Sequence, residues 1–421
     1  MKVIIIGSGL IGVTTAYFLR RRGHEVTVID REEGPALETS FANGALLTPS
    51  MAEPWNAPGC WRVLLASLGR SDAGMQLRLR ALPALAGWGV TFLRNSRAAK
   101  FERNAITNLR LALYSLKVMD SLRQQVRIEY GRAARGTLRV FRDRAASDRA
   151  AAAANRLLSE GLSFRRLSTA ETVELEPALA PIGKQLTGAI HYETDETGDA
   201  YRFCVALADH ARQQGVEFHF RTEVSSLEMR SRRVTAVMSE RERFVGDHYI
   251  VAAGSYSTSL LHRLGVHLPV RPVKGYSLTI DSNQGPQAPR IPIVDDHLHA
   301  AVVPLEGAIR VVGTAEFAGY DRTPNPNRTR NLLGLLQDLL PQAQFAPATA
   351  KPWCGLRAMS ADGVPIIGLT PVSNLLVNTG HGHLGWTMAA GSAQLLADLV
   401  SKDSPSIDPA PFALARFVVA R

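Results

Sequence analysis

Cysteine is scarce: Cys60, Cys204 and Cys354 are the only three in 421 residues, and no two form a CxxC pair. Their isolation argues against a disulfide framework, a structural zinc site or an iron–sulfur cluster, and it points to a reducing compartment. Redox chemistry in such a chain has to come from a bound cofactor. Spanning-length apolar segments are also missing. Val3 to Leu19 carries no charge, but its interior glycines and the Arg20-Arg21-Arg22 run that leads into another strand argue against a secretory or membrane segment. Ala81 to Leu93 is short and contains Pro83. There is no internal repeat, low-complexity tract or long linker.

Acidic residues fall short of basic ones, leaving a formal net charge of +10. Much of the excess lies in Arg62, Arg70, Arg78, Arg80, Arg94, Arg97, Lys100, Arg103 and Arg110, interleaved with Leu, Val, Trp88 and Phe92. Such a stretch suits either an anionic membrane surface or a solvated helical face, and the second is the simpler reading. Nucleic-acid binding is not expected, because no reading motif accompanies the charge. The expected location is the cytoplasm, with peripheral attachment to the inner face of the cell membrane left open by the basic stretch. Hydrophobic content of 46% and charged content of 20% are those of a globular protein.

What the chain does have begins at residue one. An apolar strand, Lys2 to Ile6, runs into Gly7-Ser8-Gly9-Leu10-Ile11-Gly12, and a second strand, Val26 to Ile29, ends at Asp30 and Arg31. This is the strand, glycine turn, helix and acidic-ended strand of a dinucleotide-binding βαβ unit. Gly7 permits the tight turn, Gly9 lets backbone N–H groups approach a pyrophosphate, and Gly12 lets the helix of residues 10–22 pack closely on the sheet. The helix N-terminus offers its positive dipole end to the phosphates, and Asp30 offers an acceptor to a ribose hydroxyl. The motif alone does not separate FAD from NAD.

Helices are expected near residues 98–127, 144–160 and 203–214, and strands near 136–141, 187–193, 216–220, 249–253, 271–280, 299–304 and 308–314, with a hairpin around 224–237. Nucleotide-domain signals recur at the start, middle and end of the chain. The expected fold is therefore α/β: a Rossmann-like nucleotide-binding domain (1–90, 165–265 and 350–421) interleaved with a mixed-sheet, α+β substrate domain (91–164 and 266–349), with the site between them. In the C-terminal third, Gly355-Leu356-Arg357-Ala358-Met359 is followed by Asn378-Thr379-Gly380-His381-Gly382-His383-Leu384-Gly385-Trp386-Thr387 and a long apolar helix. A glycine-rich turn opening a helix aims free N–H groups at an anion, and a reduced flavin is one.

Over essentially its whole length the chain resembles the FAD-dependent D-amino-acid dehydrogenase family, within the wider group of D-amino-acid oxidases and glycine and sarcosine oxidases. The resemblance is carried by VIIIGSGLIG, HEVTVIDRE, ALETSFANG, DETGD (195–199), GSYST (254–258), VKGYSLTI (273–280), GLRAMSADGVPIIG and NTGHGHLGWTMAAGS. It implies a D-amino-acid-oxidase-like fold holding FAD and no metal. Gly7, Ser8, Gly9, Ile11, Gly12, Asp30 and Arg31 would hold the ADP half. Ser40, Asn43 and Gly44 would follow the pyrophosphate and ribityl chain, and Ala253 and Gly254 would also bind the cofactor. Val224 would face the adenine, and Gly380, His381, Gly382, Gly385, Trp386 and Thr387 the isoalloxazine. Arg357 matches the arginine that takes the substrate carboxylate, and a planar guanidinium can do so through two parallel charge-assisted bonds. Tyr276 would donate to that carboxylate, shape the pocket or pack in the core. Lys274 is a weaker candidate, and His381 would either polarise the flavin or bond locally.

The implied reaction is oxidative deamination of a D-amino acid, with the Cα hydrogen leaving as hydride to flavin N5, the imino acid hydrolysing to a 2-oxo acid and ammonia, and the electrons passing to a quinone or respiratory chain. One departure is visible, since Ala358 stands where relatives often carry proline. Pro289-Arg290-Ile291-Pro292 and Val312 to Gly319 resemble neighbouring enzymes acting on D-proline-type or N-substituted glycine substrates, which keeps the substrate open. A pyridine-nucleotide dehydrogenase and a flavin-binding subunit of a larger electron-transfer assembly are the alternatives.

Overall fold

The computed structural model describes residues 1–67, 74–282, 288–298, 300–343 and 345–417. Arg70 of the basic stretch, and residue 299 at the start of one expected strand, lie outside them. The chain opens with β1 (Lys2–Ile6), α1 (Leu10–Arg21) and β2 (Glu25–Ile29). β1 and β2 run in parallel register from Lys2 opposite Glu25 to Ile6 opposite Ile29. Helix α2 (Ala200–Gln213) and β3 (Glu217–His219) come much later, then β4 (His248–Val251), β5 (Ile366–Leu369), β6 (Leu375–Thr379) and helix α3 (Gly385–Ser401). The six strands form one sheet in the order β5-β6-β4-β1-β2-β3. All neighbours pair parallel except the edge strand β5. Four-residue apolar runs buried on both faces, such as Val3-Ile4-Ile5-Ile6 within β1, are what a parallel sheet covered by helices requires.

Two glycines set how closely those helices approach. A Cβ on Gly12 would overlap the Gly7 carbonyl oxygen, so α1 rests directly on the glycine turn. Helix α3 has buried residues all round, from Trp386 to Val400, because it is sandwiched between α1 and the 28-residue helix Ala98–Gln125. There a Cβ on Gly391 would lie 2.9 Å from Ser115 Cα, and Ser115 Oγ accepts the Gly391 N–H at 3.0 Å.

The second sheet is mixed, with nine strands among the described residues. The long strand Val270–Asp281 lies between Lys351–Ser360 and Ala308–Phe317, antiparallel to both. The sheet continues through Ala300–Leu305, Ile293–Asp295, Thr137–Phe141, Gly188–Tyr192 and Arg165–Leu167, and Met75–Leu77 joins at Ala308–Phe317. Its outer face is covered by the helix Pro326–Leu339, which buries Leu332, Leu336 and Leu339 against Leu278, Ile280 and Val311.

The elements form where the periodicity places them, but their partners differ from the expected boundaries. Residues 165–192 and 351–360 supply strands to the second sheet rather than to the nucleotide domain. The helix Ala98–Gln125, expected in the substrate domain, buries Leu111, Ala112, Met119 and Leu122 in the nucleotide-domain core. Both shifts have one cause, namely that apolar face and strand pairing choose partners distant in sequence, which local pattern does not encode.

Candidate active site

A cavity of about 580 Å³ runs between the two sheets, from Asp30 and Val224 at one end to Arg357 and His383 at the other. At the first end the glycine turn works as its sequence requires. Gly7 adopts φ +107°, where a Cβ would meet the Ala252 carbonyl oxygen at 2.6 Å. Gly9 caps α1 with extended backbone and no side chain of its own. The Leu10 N–H at the helix start instead donates to Ser40 Oγ at 3.2 Å. Asp30 sits at the carboxyl end of β2, its Oδ2 accepting from Ser8 N at 2.6 Å and Ser8 Oγ at 2.7 Å, and its Oδ1 from Glu32 N at 2.9 Å. Ser8 therefore orients Asp30 and does not itself line the cavity, and Gly12 likewise serves packing. Arg31 lines it, stacked 4.1 Å over Tyr256 and paired with Glu38. Val224, Ala253 and Gly254 complete this end.

Along the middle, Asn43 Oδ1 accepts the Ala45 N–H at 2.9 Å, holding Ala45 at φ 54° so that Asn43 and Gly44 border the cavity. Buried Arg310 donates to the Asn43 carbonyl at 3.2 Å and pairs with Asp199 at 3.3 Å, which fastens this loop to the second sheet.

At the far end, Gly380 (φ 82°) turns the chain out of β6, and His381, Gly382 and Gly385 line the cavity at the start of α3. His381 Nε2 bonds Ser392 Oγ at 3.1 Å, and Ser392 Oγ donates to the Ala389 carbonyl, so the local-bonding alternative describes this histidine. Burial pushes its pKa down to about 3, and it is neutral. Trp386 borders the cavity, but its indole is turned into the core to donate to the Gly198 carbonyl at 3.0 Å. Thr387 lies behind the wall, its Oγ1 accepting the Thr48 N–H at 2.9 Å.

Arg357 points into the cavity half-buried, and desolvation there pushes its pKa down to about 10, still charged at neutral pH. Its protein hydrogen bond is to the Thr314 carbonyl at 3.2 Å, and among the described residues no carboxylate pairs with it. Tyr276 and Lys274 behave differently. They alternate with Gly275 along their strand and turn to the outer face. The Tyr276 hydroxyl donates to Glu316 Oε2 at 2.5 Å, and burial followed by that carboxylate raises its pKa. Its ring packs with Leu278, so Tyr276 shapes the wall without offering its proton to the cavity. Lys274 is outside the cavity, fully buried, with Nζ on Asp321 Oδ2 at 3.2 Å and on the Thr323 carbonyl. The sequence reading passed over Met51, Trp55, Trp353 and His383, all of which line the cavity around Arg357.

Asp195 of the DETGD motif holds this end of the site without touching it. Its carboxyl is fully buried, accepting from Ser50 Oγ and Thr137 Oγ1 at 2.5 Å each and from Ser50 N at 3.2 Å, with no ion pair among the described residues, and burial pushes its pKa up to about 7. Because the folded state resists ionisation, stability is full below pH 4, falls as pH rises toward 7, and levels off above it. The shift from 3.8 corresponds to roughly 4 kcal/mol at most. Unfolding midpoints measured between pH 5 and pH 8 should fall for the natural protein and stay flatter for Asp195→Asn. Equal slopes would refute the assignment.

The residues fit a flavin dinucleotide: a phosphate-facing helix start and a carboxylate at one end, and a second glycine-rich helix start with aromatic walls at the other. Among the described residues, no three His, Cys, Asp or Glu side chains are grouped to hold a metal. The family model described as FAD dependent oxidoreductase matches residues 2–399. A protein of Paramagnetospirillum magneticum named D-amino acid dehydrogenase is 41% identical over 99% of this chain and 99% of its own. One of Sinorhizobium medicae with the same name is 42% identical over 99% of this chain and all of its own. Among solved structures, glycine oxidase from Geobacillus kaustophilus superposes with a TM-score of 0.76 at 24% identity, covering 99% of both chains. L-proline dehydrogenase from P. horikoshii does so with a TM-score of 0.78 at 17% identity, over 99% of this chain and 97% of its own. A glycine-turn βαβ unit, an interleaved mixed sheet and a cavity spanning both thus have one common explanation: the chain belongs to the family of FAD-dependent oxidoreductases.

Proposed function

We propose that the protein oxidises D-amino acids, D-alanine among them, to 2-oxo acids and ammonia. The observation that carries this reading is Arg357, a half-buried cation with no counter-charge among the described residues, at the far end of the cavity from the dinucleotide motif. A partly desolvated charge of this kind is stabilised by an anion that arrives with the ligand. Relatives named D-amino acid dehydrogenase at 41–42% identity support the substrate class. FAD, when bound, supplies the acceptor for the Cα hydrogen and its electron pair. Gly7, Gly9 and Asp30 would hold its ADP half, Ser40, Asn43 and Gly44 its middle, and His381, Gly382 and Gly385 its ring end.

The chain's own part is positioning. Arg357 grips the carboxylate through two N–H groups and so decides how Cα is presented. Met51, Trp55 and Trp353 exclude water from beside it, and His381 and His383, held neutral by burial, add no competing charge. No protein acid or base is needed once the amine is neutral, because the imino acid hydrolyses in water.

The acceptor in this reading is a quinone met at an anionic membrane surface. No helix among the described residues is long and apolar enough to cross a membrane. The helix Leu82–Arg94 buries Leu85, Trp88 and Phe92 yet leaves Leu82, Val90 and Leu93 exposed, and Leu79 before it is 68% exposed. Trp61 and Leu65 on the helix Cys60–Ala66 add to the exposed apolar surface, with exposed Arg62 and Arg94 on these two helices and exposed Arg80 and Arg97 just before and after the helix Leu82–Arg94. Apolar side chains flanked by cations suit an anionic interface.

Anaerobic mixing with D-alanine, L-alanine, D-proline and sarcosine, followed by reoxidation with air or with quinone in anionic vesicles, tests both parts. D-alanine should bleach the flavin and L-alanine should not, and quinone in vesicles should restore the colour faster than air. A flavin that dithionite reduces but no D-amino acid does would remove the substrate reading. Faster recovery in air would remove the acceptor.

A further inference from the structure

Arg357 is oriented by more than its own strand. Gly275 and Gly355 face each other in register and leave bare backbone on the cavity side of the sheet. A Cβ on Gly275 would overlap the Arg357 guanidinium, and one on Gly355 would overlap the Trp353 indole. The guanidinium therefore rests on glycine backbone. A bulge opposite Gly275 and Tyr276, with Thr314 at φ 59°, presents the Thr314 carbonyl to one of its N–H groups.

Trp55 also faces the guanidinium, its ring centroid 5.3 Å from Arg357 Cζ. A cation held over an indole is attracted to the ring face, and more strongly once both are desolvated. Trp55 comes from the irregular segment between Met51 and Cys60, which by itself gives a side chain no fixed direction. The direction is supplied by His383, whose imidazole is stacked on the indole at 5.3 Å with 19° between planes. His383 Nε2 lies 3.0 Å from the Met51 carbonyl, and since a carbonyl only accepts, this nitrogen carries the proton. Ser50, next to Met51, is fixed in turn by Asp195. Burial, with Arg357's charge as a smaller cause, pushes the His383 pKa down to about 4, so the stack is uncharged at neutral pH.

We propose that Trp55 and His383 are positioning residues for Arg357: the stacked pair closes over the guanidinium and holds it in the one orientation that meets a substrate carboxylate through two bonds. This rests on the reading that Arg357 takes that carboxylate. An unrestrained arginine has many rotamers, and a bidentate grip needs its plane fixed in advance. Neither residue needs to touch the reacting atoms.

The test uses the flavin-loaded enzyme, with propionate as a carboxylate that lacks the amine, its binding followed through the flavin spectrum. Trp55→Leu should weaken propionate about ten- to thirtyfold and raise the KM for D-alanine by the same factor, with kcat changed far less, and Trp55→Phe should recover most of the loss. In an Arg357→Met background, Trp55→Leu should cause no further loss in kcat/KM, because there is nothing left to orient. An unchanged propionate affinity in Trp55→Leu, or an equal loss in both backgrounds, would overturn the proposal. Should Trp55→Leu fail to fold, His383→Asn, which removes the stack and keeps the indole, decides by the same measurements. If Arg357→Met itself leaves kcat/KM and propionate binding intact, the carboxylate reading falls, a result distinct from Trp55 alone having no effect.

Discussion

Replacing Arg357 with methionine is expected to lower kcat/KM for D-alanine by about 30- to several thousandfold, the equivalent of about 2–5 kcal/mol for a desolvated carboxylate left without its charged partner. The same change should leave the flavin-loaded protein as stable as before, or more so. These two effects have one source. The half-buried guanidinium rests on Gly275 backbone with the Thr314 carbonyl and the Trp55 indole face beside it, no carboxylate pairs with it among the described residues, and desolvation lowers its pKa. Methionine fills similar space with no charge to desolvate, so the folded state loses an unfavourable term while the site loses its anion grip. Arg357→Lys should fall between, because an ammonium is a point charge without the planar fork. The measurements are steady-state kinetics and a thermal melt of the same preparations. A kcat/KM within about threefold of the natural enzyme, or a melting temperature that drops sharply, would show that Arg357 is structural.

What the sequence showed and what it hid divide along a physical line. The unit from Lys2 to Arg31 was legible because each signal in it is local: alternation of apolar strand and amphipathic helix, glycines where φ or close approach demands them, and a carboxylate at a strand end. The motif at 378–387 was legible for the same reason. The side to which Tyr276 and Lys274 point was not. It depends on which parity of the strand faces the cavity, and that is fixed by pairing with Lys351–Ser360, where Val273 and not Tyr276 lies opposite Arg357. Trp55 carried no signal at all, since a tryptophan in an irregular loop gains its meaning only from His383, which lies more than three hundred residues away. His383 is visible inside the GHGH turn, but nothing local distinguishes it from His381, whose ring is occupied with Ser392. The domain boundaries shifted for a related reason, because the helix Ala98–Gln125 is equally helical wherever its apolar face docks.

Gly12→Ala and Gly9→Ala are expected to separate building the nucleotide site from using it. A Cβ at Gly12 would overlap the Gly7 carbonyl oxygen and lie 2.8 Å from its carbonyl carbon, and neither atom can yield without moving the turn. Helix α1 would be pushed off β1, and overpacking of this sort costs about 1–3 kcal/mol or more, so the protein should melt earlier and purify colourless. Gly9 has ordinary backbone angles, φ −70° and ψ −176°, and a Cβ there would meet only Ser40 Oγ at 3.4 Å, an ordinary contact. Gly9→Ala should therefore fold with a near-natural melting temperature in its flavin-free form and fail instead at retaining FAD, because the added methyl stands where backbone N–H groups have to approach phosphate. Flavin content per chain, measured beside the melting temperature of each flavin-free protein, distinguishes the two. Full flavin content in Gly12→Ala with an unchanged melt would mean that α1 is not seated on the turn as described, and full content in Gly9→Ala would mean that the phosphates bind elsewhere.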